Sequence, residues 1–395
     1  MLELKHELKL RKTRDEKARM NFVSGLRSYV LNDMANGMRT VYDAEVEPQF
    51  RRTAGRLPLD GPEVHQTLRA HEYFKFYSSL RVTAQDQVWQ SVIPALEKNR
   101  DFLKQRANEL GGGKRRGSLK LDAAIEVPRS VSAIDVHLMP GNYVGEYEQD
   151  DLAAGSLYDN GLAVFSFGLM GQNLDDIGQS IAGFIRMKYP QFKPQRVLDL
   201  GCTIGHNTGA WKDQFPAAEV YGVDVAAPCL RYAHARAEAQ GRALHLQQMN
   251  AENLNFADAS FDVVFSSMFL HEVPKRNIAN VFREAYRVLR PGGLMLHMEL
   301  PPNEQLSPYD AFYLDWDSFY NNEPFYKPFR DLKPSELVRR AGFDPMKFVQ
   351  FVVPSVGWYG EEACRAAVAQ QDEVASDKTG RLADGIRWYC FGAWK

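Results

Sequence analysis

The stretch from Arg196 to Gly209 constrains the fold of this chain more than any other part of it. Its apolar run at 197–200, Val-Leu-Asp-Leu, is typical of a buried parallel strand that stops at Gly201. A turn of small residues follows, and we predict that a helix begins near His206 or Asn207. A strand, turn and helix in this order bring backbone N–H groups to the edge of an open α/β sheet, where a ligand can bind.

Two carboxylates accompany this turn. Asp199 lies two residues before Gly201, and a second predicted strand, Glu219 to Val223, is followed directly by Asp224. A carboxylate at that place suits the two hydroxyls of a ribose, because it offers acceptors only. The glycines of the turn are spaced by four residues, so the Gly-x-Gly-x-x-Gly pattern of a dinucleotide site is absent. This spacing disfavours a nicotinamide-linked reductase.

The segment resembles motif I of the class I S-adenosylmethionine-dependent methyltransferases, with Asp199, Gly201 and Gly205 in register. Thr203 stands where the family most often has its middle glycine, which leaves the path of the loop open. Further family segments follow in order at the expected strand ends, over about residues 195–394, roughly half the chain. Within the family, the chain is similar to the small-molecule enzymes of the quinone-biosynthesis group.

The resemblance implies that S-adenosylmethionine binds across the carboxyl ends of the first four strands. Motif I would hold the methionine portion, the carboxylate after the second strand the ribose, and the residue after it the adenine ring. An Asn-Ala-Glu turn after the third strand would bind the adenine edge, and backbone groups of Ser266 and Ser267, which end the fourth strand, would face the donor's amino acid. The predicted donor-binding residues are Asp199, Gly201, Cys202, Gly205, Asp224, Val225, Asn250, Ala251, Glu252 and Ser266.

The alternation of strands and helices after Arg196 predicts a doubly wound parallel sheet. We therefore expect an α/β fold with a Rossmann-like, mostly parallel sheet of seven strands and an N-terminal, mainly helical region. Besides the two strands already described, strands are predicted at 243–248, 261–266, 294–299, 347–353 and 387–394, and helices at 228–240 and 276–289.

The chain divides into three predicted parts. Residues 1–118 form the helical region, a candidate lid, acceptor-binding or dimerisation element. Residues 119–190 connect it to a donor-binding domain at 191–395, which carries an aromatic-rich insertion at 301–333. Within the first two parts we predict helices at 63–79 and 88–110 with an interruption at Pro94, a basic, glycine-rich linker at 111–118, short strands at 124–127 and 133–139, and a helix at 175–189.

His271 is the candidate catalytic base. It follows the fourth strand in Ser-Met-Phe-Leu-His-Glu-Val-Pro, which is similar to a segment of many small-molecule methyltransferases, and the ordinary pKa of histidine suits proton transfer near neutral pH. A structural role beside the donor pocket is the alternative. Lys275 stands where a zinc-binding His-Glu-x-x-His motif needs its second histidine. Other candidate bases are His297, Glu299 and Asp315.

The segment from Tyr309 to Phe329 holds nine aromatic residues, whereas the chain average of 12% predicts two or three. Aromatic faces exclude water and bind planar or apolar ligands. We predict that some of them line the acceptor pocket, and the alternative is that they dock the insertion on the N-terminal helices or form a dimer contact. The candidates for the pocket are Tyr309, Tyr313, Trp316 and Tyr320.

Composition narrows the class of protein. A net charge of −2 over 395 residues gives little general attraction to nucleic acid or to an anionic membrane. The four cysteines are far apart, which predicts reduced thiols in a cytoplasmic protein rather than a disulfide framework or a metal site. We find neither the apolar core of a signal peptide near Met1 nor a stretch apolar enough to span a membrane.

Together these features predict an S-adenosylmethionine-dependent methyltransferase that acts on a small, apolar or aromatic metabolite by in-line displacement. We expect no metal, no nucleic-acid partner and no membrane span, and a possible homodimer through the N-terminal region. Two alternatives stay open: a methyltransferase of protein or RNA that docks through the basic cluster Lys114–Arg116, and a donor-binding regulatory protein without turnover.

Overall fold

The computed structural model describes residues 3–112, 115–369 and 386–395. Two residues of the predicted basic linker, Gly113 and Lys114, lie outside the described residues, and so do residues 370–385 of the predicted donor-binding domain.

The fold is built on an eight-stranded sheet with the order β1-β4-β3-β2-β5-β6-β8-β7. All neighbours from β1 to β6 pair in parallel, and β8 runs antiparallel to both β6 and β7. The strands are β1 (Ser118–Lys120), β2 (Arg196–Leu200), β3 (Glu219–Asp224), β4 (Leu244–Gln248), β5 (Phe261–Ser267), β6 (Leu289–Glu299), β7 (Phe348–Pro354) and β8 (Arg387–Trp394).

The strand order of the sheet reverses between β2 and β5. From β2 the chain adds β3 and β4 on one side, then returns to place β5 on the other side. In open α/β sheets such a reversal opens a crevice at the carboxyl ends of the two strands, and ligands bind there.

In the described part of the chain, fifteen α-helices surround the sheet or form the N-terminal layer. Five of them precede β1, and α8 to α11 lie between or beside the central strands in chain order. They are α1 (Arg14–Leu31), α2 (Asp33–Val41), α3 (Glu47–Ala54), α4 (Gly61–Leu68), α5 (Glu72–Gly111), α6 (Arg129–Ser132), α7 (Ala153–Phe165), α8 (Asp176–Lys188), α9 (His206–Gln214), α10 (Ala227–Ala239), α11 (Lys275–Val288), α12 (Pro308–Tyr320), α13 (Tyr326–Arg330), α14 (Pro334–Arg340) and α15 (Val356–Ala369).

The predicted fold class is confirmed, with an α/β sheet that is mostly parallel and an N-terminal helical region. The number of strands was too low by one, because the three-residue edge strand β1 pairs with β4. The strands predicted at 124–127 and 133–139 were wrong. Pro128 precedes the short helix α6 there, and a proline cannot donate to a strand ladder.

The predicted interruption at Pro94 was also wrong, since α5 continues through it as one helix of 40 residues. The neighbouring Val92, Ala95 and Leu96 are fully buried, and this packing outweighs the hydrogen bond that proline cannot donate. The helix predicted at 63–79 divides into α4 and the start of α5, because the His71 side chain caps the new helix by accepting from the Tyr73 N–H.

Hydrophobic packing joins the N-terminal helices to the sheet. One continuous core cluster contains Trp89 of α5, Leu157 of α7, Tyr232 of α10 and Leu246 of β4. The helical layer therefore rests on the sheet through α7 and α10, which places α1 and α5 beside the ends of the central strands.

A buried carboxylate, Asp159 of α7, fixes this contact. It accepts from the Tyr232 hydroxyl at 2.7 Å and lies 2.8 Å from His6 Nε2 and 3.3 Å from His206 Nε2. Burial alone would raise the pKa of Asp159, but His6, His206 and Arg236 hold it well below its usual range. The carboxylate thus ties the N-terminal segment to the first turn of α9.

No helix among the described residues is long and apolar enough to cross a membrane.

Candidate active site

A cavity of about 300 Å³ opens at the carboxyl ends of the central strands. Its walls come mainly from four parts of the chain: the turns after β2 to β5, the N-terminal helices α1, α2 and α5, the segment around residues 128–174, and the insertion, which contributes Tyr313, Glu323 and Tyr326. It is the crevice that the reversal between β2 and β5 predicts.

The turn after β2 has the backbone that a ligand-binding loop requires. Gly201 has φ +68°, and a Cβ there would overlap the ring of Phe269, so only glycine fits. Gly205 has φ +73° and precedes α9. Thr203 adopts φ +47°, in the left-handed region, although its side chain is β-branched. The loop therefore keeps a glycine-like path despite the threonine.

Asp224 and Asp199 flank this turn. Asp224 accepts the N–H of Thr203 on Oδ2 and that of Ala226 on Oδ1, both at 2.9 Å, and burial raises its pKa to about 6. Asp199 accepts the Thr208 hydroxyl at 2.6 Å, and burial raises its pKa to about 7. Among the described residues, neither carboxylate has a cationic side chain within 4 Å. Both therefore line the cavity as buried acids that a cationic ligand would stabilise.

The Asn250-Ala251-Glu252 turn lies on the same wall. Asn250 Oδ1 accepts the N–H of Glu252 at 2.9 Å, which closes the turn. The Glu252 carboxylate accepts the side-chain amides of Asn277 and Asn280 at 2.8 and 3.0 Å, so it holds the turn against α11. These contacts leave the Asn250 amide nitrogen as the polar group that the turn offers to a ligand.

The structure brings most of the predicted donor-binding residues together. Eight of the ten line the cavity, namely Asp199, Gly201, Cys202, Asp224, Val225, Asn250, Ala251 and Glu252.

The two exceptions are Gly205 and Ser266. Gly205 shapes the start of α9 without lining the cavity. The Ser266 hydroxyl contacts His297 Nδ1 at 2.7 Å and does not face the cavity, which Ser267 lines instead. Neighbouring side chains of a strand point to opposite faces, so of the two serines predicted at the end of this strand it is Ser267 that lines the cavity.

His271 forms a buried pair with Glu299. Its Nδ1 lies 2.6 Å from Glu299 Oε2, and the other carboxylate oxygen accepts the N–H groups of Phe269 and Leu270 at 2.9 and 2.6 Å. The ring of Tyr326 stacks on the imidazole with centroids 3.8 Å apart. Glu299 at the end of β6 therefore orients the turn and the ring together, and leaves Nε2 as the nitrogen available for chemistry.

Charges around His271 favour its protonated form. Burial lowers the pKa of the imidazole, but Glu299, Glu323 and Glu272 outweigh burial and raise it above its ordinary value. His137 shows the same balance more strongly: burial opposes the charge, yet Glu323 and Glu272 raise its pKa to about 10. Two imidazoles and three carboxylates thus form one coupled cluster beside the donor turn.

Sequence reasoning missed most of this cluster. His137 Nδ1 lies 3.1 Å from Glu323 Oε1, and its Nε2 lies 3.5 Å from Glu272 Oε1. The hydroxyl of Tyr143 donates to Glu272 at 2.7 Å. These residues come from segments far apart in the chain, so no spacing in the sequence marks them. Only Glu272, adjacent to His271, had a local signal.

The other candidate bases, His297 and Asp315, lie outside the cavity. His297 packs against Phe282 and Ser266 under the sheet, where burial lowers its pKa to about 3. Asp315 pairs with Arg330 at 2.6 Å and supports the insertion. We therefore do not assign the role of base to His297 or Asp315, because neither lines the cavity.

Of the four predicted pocket aromatics, only Tyr313 lines the cavity. Trp316 donates its indole N–H to Ser78 Oγ of α5 at 2.9 Å, and Tyr309 and Tyr320 belong to the same cluster with the N-terminal helices. We therefore correct the pocket assignment of Tyr309, Trp316 and Tyr320. Their side chains dock the insertion on α4 and α5, which was the alternative interpretation.

Comparison with known proteins finds relatives of this chain. A family model described as a methyltransferase domain matches residues 197–293. A demethylmenaquinone methyltransferase of Thermus thermophilus is 38% identical over 28% of this chain and 49% of its own length. A ubiquinone/menaquinone biosynthesis C-methyltransferase of Dinoroseobacter shibae is 31% identical over 39% of this chain and 68% of its own length. The chain belongs to the class I S-adenosylmethionine-dependent methyltransferases.

This membership confirms the resemblance that motif I carries. A malonyl-[acyl-carrier protein] O-methyltransferase of Methylococcus capsulatus is also 38% identical, over 30% of this chain and 41% of its own length. The chain spans about half the length of the first of these relatives. A solved phosphoethanolamine N-methyltransferase of Haemonchus contortus is a remote structural neighbour, 21% identical over 60% of this chain and 57% of that chain, with a TM-score of 0.38.

The site of this methyltransferase-family chain fits S-adenosylmethionine, the methyl donor of the family. Gly201 leaves space that a Cβ would close against Phe269. The carboxylate of Asp224 is fixed by two backbone N–H groups and keeps lone pairs for a ribose diol. Asp199 is a second buried acid beside the same turn.

Proposed function

We propose that this protein transfers the methyl group of S-adenosylmethionine to a small molecule with an apolar or aromatic body. One observation carries the proposal: a single cavity is lined both by the donor turn with Asp199 and Asp224 and by His271. When bound, the donor supplies an electrophilic methyl group on a sulfonium. The chain itself binds and orients the donor and the acceptor, and it removes one proton from the acceptor.

Binding of the donor falls to the turns after β2, β3 and β4. Asp224 would accept both ribose hydroxyls, and Val225 and Asn250 would contact the adenine. Val225 is held in place because its carbonyl accepts the side-chain amide of Gln248 at 2.9 Å. Fixing the donor in this way aligns the reacting atoms before reaction, which is the main source of rate in a transfer between two bound molecules.

Proton removal falls to His271. In the neutral form of the imidazole, Nε2 is the candidate acceptor for the proton of a hydroxyl or other weakly acidic nucleophile, while Glu299 holds Nδ1 and stabilises the imidazolium that forms. Because its carboxylate neighbours raise the pKa of His271, this neutral form gains population as the pH rises. Glu323, 3.7 Å from Nε2, adds further negative charge near the proton. An acceptor that is already a free nucleophile would need no such base.

An apolar part of the cavity wall excludes water. Apolar and aromatic side chains from α5, α7 and the segment after α7 form it, among them Trp89, Tyr158, Leu162, Phe165 and Met170. A dry wall strengthens each polar interaction at the reacting atoms and favours an acceptor with an apolar surface.

A labelling experiment tests this function. Protein is incubated with methyl-labelled S-adenosylmethionine and an extract of the source organism, which is then separated into small molecules, protein and RNA. We expect label in the small-molecule fraction, and its loss with the His271→Gln variant. Label confined to protein or RNA would favour the alternative, a macromolecular methyltransferase. An absence of label and of S-adenosylhomocysteine in every fraction would favour a binding protein without turnover.

Three further predictions accompany this function without a structural test: a cytoplasmic location, the lack of a nucleic-acid partner and a homodimer through the N-terminal region. The division into parts at 1–118, 119–190 and 191–395 also stays a prediction.

A further inference from the structure

A buried arginine outside the motifs of the donor site forms part of the cavity wall. Arg27 of α1 is 1% exposed and lines the cavity. Its Nε donates to the carbonyl of Phe165 at 3.2 Å, its Nη1 donates to Gln85 Oε1, and its guanidinium lies 4.1 Å from the centre of the Phe165 ring. Its Nη2 has no hydrogen-bond partner.

Arg27 differs from the other fully buried arginines in the described part of the chain. Arg81, Arg236 and Arg330 each lie within 4 Å of a carboxylate, at 2.5 Å from Asp317, 3.8 Å from Asp159 and 2.6 Å from Asp315 respectively. For Arg27, no carboxylate within the described ranges comes that close. A buried charge without a counter-ion is costly, so its retention in a ligand cavity requires a reason.

The surroundings of Arg27 carry an excess of positive charge. Arg81 also donates to Gln85 Oε1, at 3.3 Å, so the two guanidinium groups share one neutral acceptor, while the carboxylate of Asp317 pairs with Arg81. Burial, followed by the neighbouring Arg81, holds the pKa of Arg27 well below its ordinary value. An anion in the cavity would offset both the cost of burying the charge of Arg27 and its repulsion by Arg81.

Arg27 is connected to the reaction site through the same wall. The Gln85 amide that accepts from Arg27 donates from its nitrogen to the carbonyl of His137 at 2.8 Å. The His137 ring lies 3.1 Å from Glu323, which in turn lies 3.7 Å from His271 Nε2. The cationic group and the candidate base therefore stand at the two ends of one chain of contacts.

We propose that Arg27 binds an anionic oxygen group of the methyl acceptor, so that the acceptor is an acid with an apolar or aromatic body. This inference rests on the proposed function, since it names the substrate class of the same site. The planar guanidinium suits an oxyanion, and its charge makes the hydrogen bond from Nη2 a strong one. The apolar wall on which it stacks would accommodate the body of the acid.

Matched probes test the charge requirement. Benzoate, benzamide and phenylphosphonate share an aromatic ring and differ in their charge and oxyanion type. Binding to the parent is measured by calorimetry, with and without saturating S-adenosylhomocysteine. We expect the parent to bind benzoate or phenylphosphonate about 10-fold more tightly than benzamide, and the stronger of the two identifies the anion class.

Three variants locate the effect. Arg27→Gln should lose the preference for the anion. Arg27→Lys should keep a smaller preference, because the point charge of an ammonium replaces the planar set of donors of the guanidinium. Arg19 is an exposed arginine on the same helix, and Arg19→Gln should behave like the parent. All should bind S-adenosylhomocysteine within about twofold of the parent, because Arg27 does not belong to the donor site.

The outcomes separate the two proposals. Equal binding of benzoate, phenylphosphonate and benzamide by the parent, or binding of none of them, overturns the anion site. A preference for the anion over benzamide that survives in Arg27→Gln also overturns the anion site. If Arg27→Gln does not fold, an unchanged preference in Arg27→Lys overturns it. A parent that shows the Arg27-dependent preference but binds no S-adenosylhomocysteine contradicts the methyltransferase function instead.

Discussion

The Nδ1 atom of His271 lies 2.6 Å from Glu299 Oε2, and the second oxygen of that carboxylate accepts the backbone N–H groups of Phe269 and Leu270. One side chain at the end of β6 thus fixes both the turn after β5 and the orientation of the imidazole it carries. This arrangement resembles the carboxylate–histidine pairs by which enzymes hold a general base in one tautomer.

Replacing His271 tests its role as the base. His271→Gln should lower kcat by about 10²- to 10⁴-fold, the usual contribution of a general base, while the affinity for S-adenosylhomocysteine stays within about twofold of the parent. His245→Gln is the control, because His245 contacts Ser118 outside the cavity. Steady-state kinetics with the identified acceptor and calorimetry with S-adenosylhomocysteine provide the two measurements. A nearly parental kcat would assign His271 a structural role.

The stability of the protein should depend on pH through His137. Its folded pKa of about 10 lies above the ordinary value of 6.5, because Glu323 and Glu272 outweigh burial. The ion pairs therefore stabilise the fold fully below about pH 6.5, and this contribution is lost as the pH rises to about 10. We expect the free energy of unfolding of the parent to fall across this window more steeply than that of His137→Gln. Urea denaturation at a series of pH values measures both, and identical slopes would contradict the pairing.

Thr203 stores backbone strain in the donor turn. Its φ of +47° is unfavourable for a β-branched residue. Thr203→Gly should therefore leave the free energy of unfolding unchanged or raise it by up to about 1 kcal/mol, since relief of strain exceeds the greater chain entropy of glycine. The matched change Thr53→Gly, in the ordinary helix α3, should lower stability by a few tenths of a kcal/mol. A clear loss of stability in Thr203→Gly on chemical denaturation would show that the strain is absent.

The aromatic insertion should contribute to stability more than to donor binding. Trp316→Ala should cost about 3–5 kcal/mol in the free energy of unfolding, because the side chain is 2% exposed and packs on α5. On the same helix, Phe319 is 74% exposed, and Phe319→Ala should change stability by less than about 0.5 kcal/mol. Similar losses in the two variants on urea denaturation would contradict the docking role of the insertion.

The donor half of the site could be predicted from the sequence because its residues follow local rules. Buried parallel strands read as apolar runs, and the residues directly after them must meet at one edge of the sheet. Asp199 and Asp224 were placed by this argument and Asn250 by the resemblance to the family, and all three line the cavity. Of the two serines predicted at the end of β5, Ser267 lines the cavity and Ser266 does not, because neighbouring side chains of a strand point to opposite faces.

The residues that we propose face the methyl acceptor could not be predicted in this way. Arg27, His137 and Glu323 come from α1, from the segment before α7 and from the residues after α12, and only tertiary packing brings them together. Their neighbours in sequence share no spacing that indicates a site. His137 has a positive φ of +58°, but this becomes visible only in the structure.

The aromatic insertion shows a second limit of prediction from the sequence. An excess of aromatic residues indicates that a segment is buried, and it does not say against what. Tyr309 and Trp316 are buried against the N-terminal helices, whereas Tyr313 reaches the cavity from the same helix. The partner surface decides between the two outcomes, and it belongs to another part of the chain.

The central claim is that Asp224 holds the donor at the edge of the sheet, and calorimetric titration with S-adenosylmethionine tests it most directly. The parent and Asp101→Asn, a control on the exposed face of α5, should bind one equivalent with the same affinity. Asp224→Asn should bind about 10-fold more weakly or worse, because it loses charge-assisted hydrogen bonds to the ribose. A parent that binds no donor, or an Asp224→Asn variant that binds as tightly as the parent, would contradict the account.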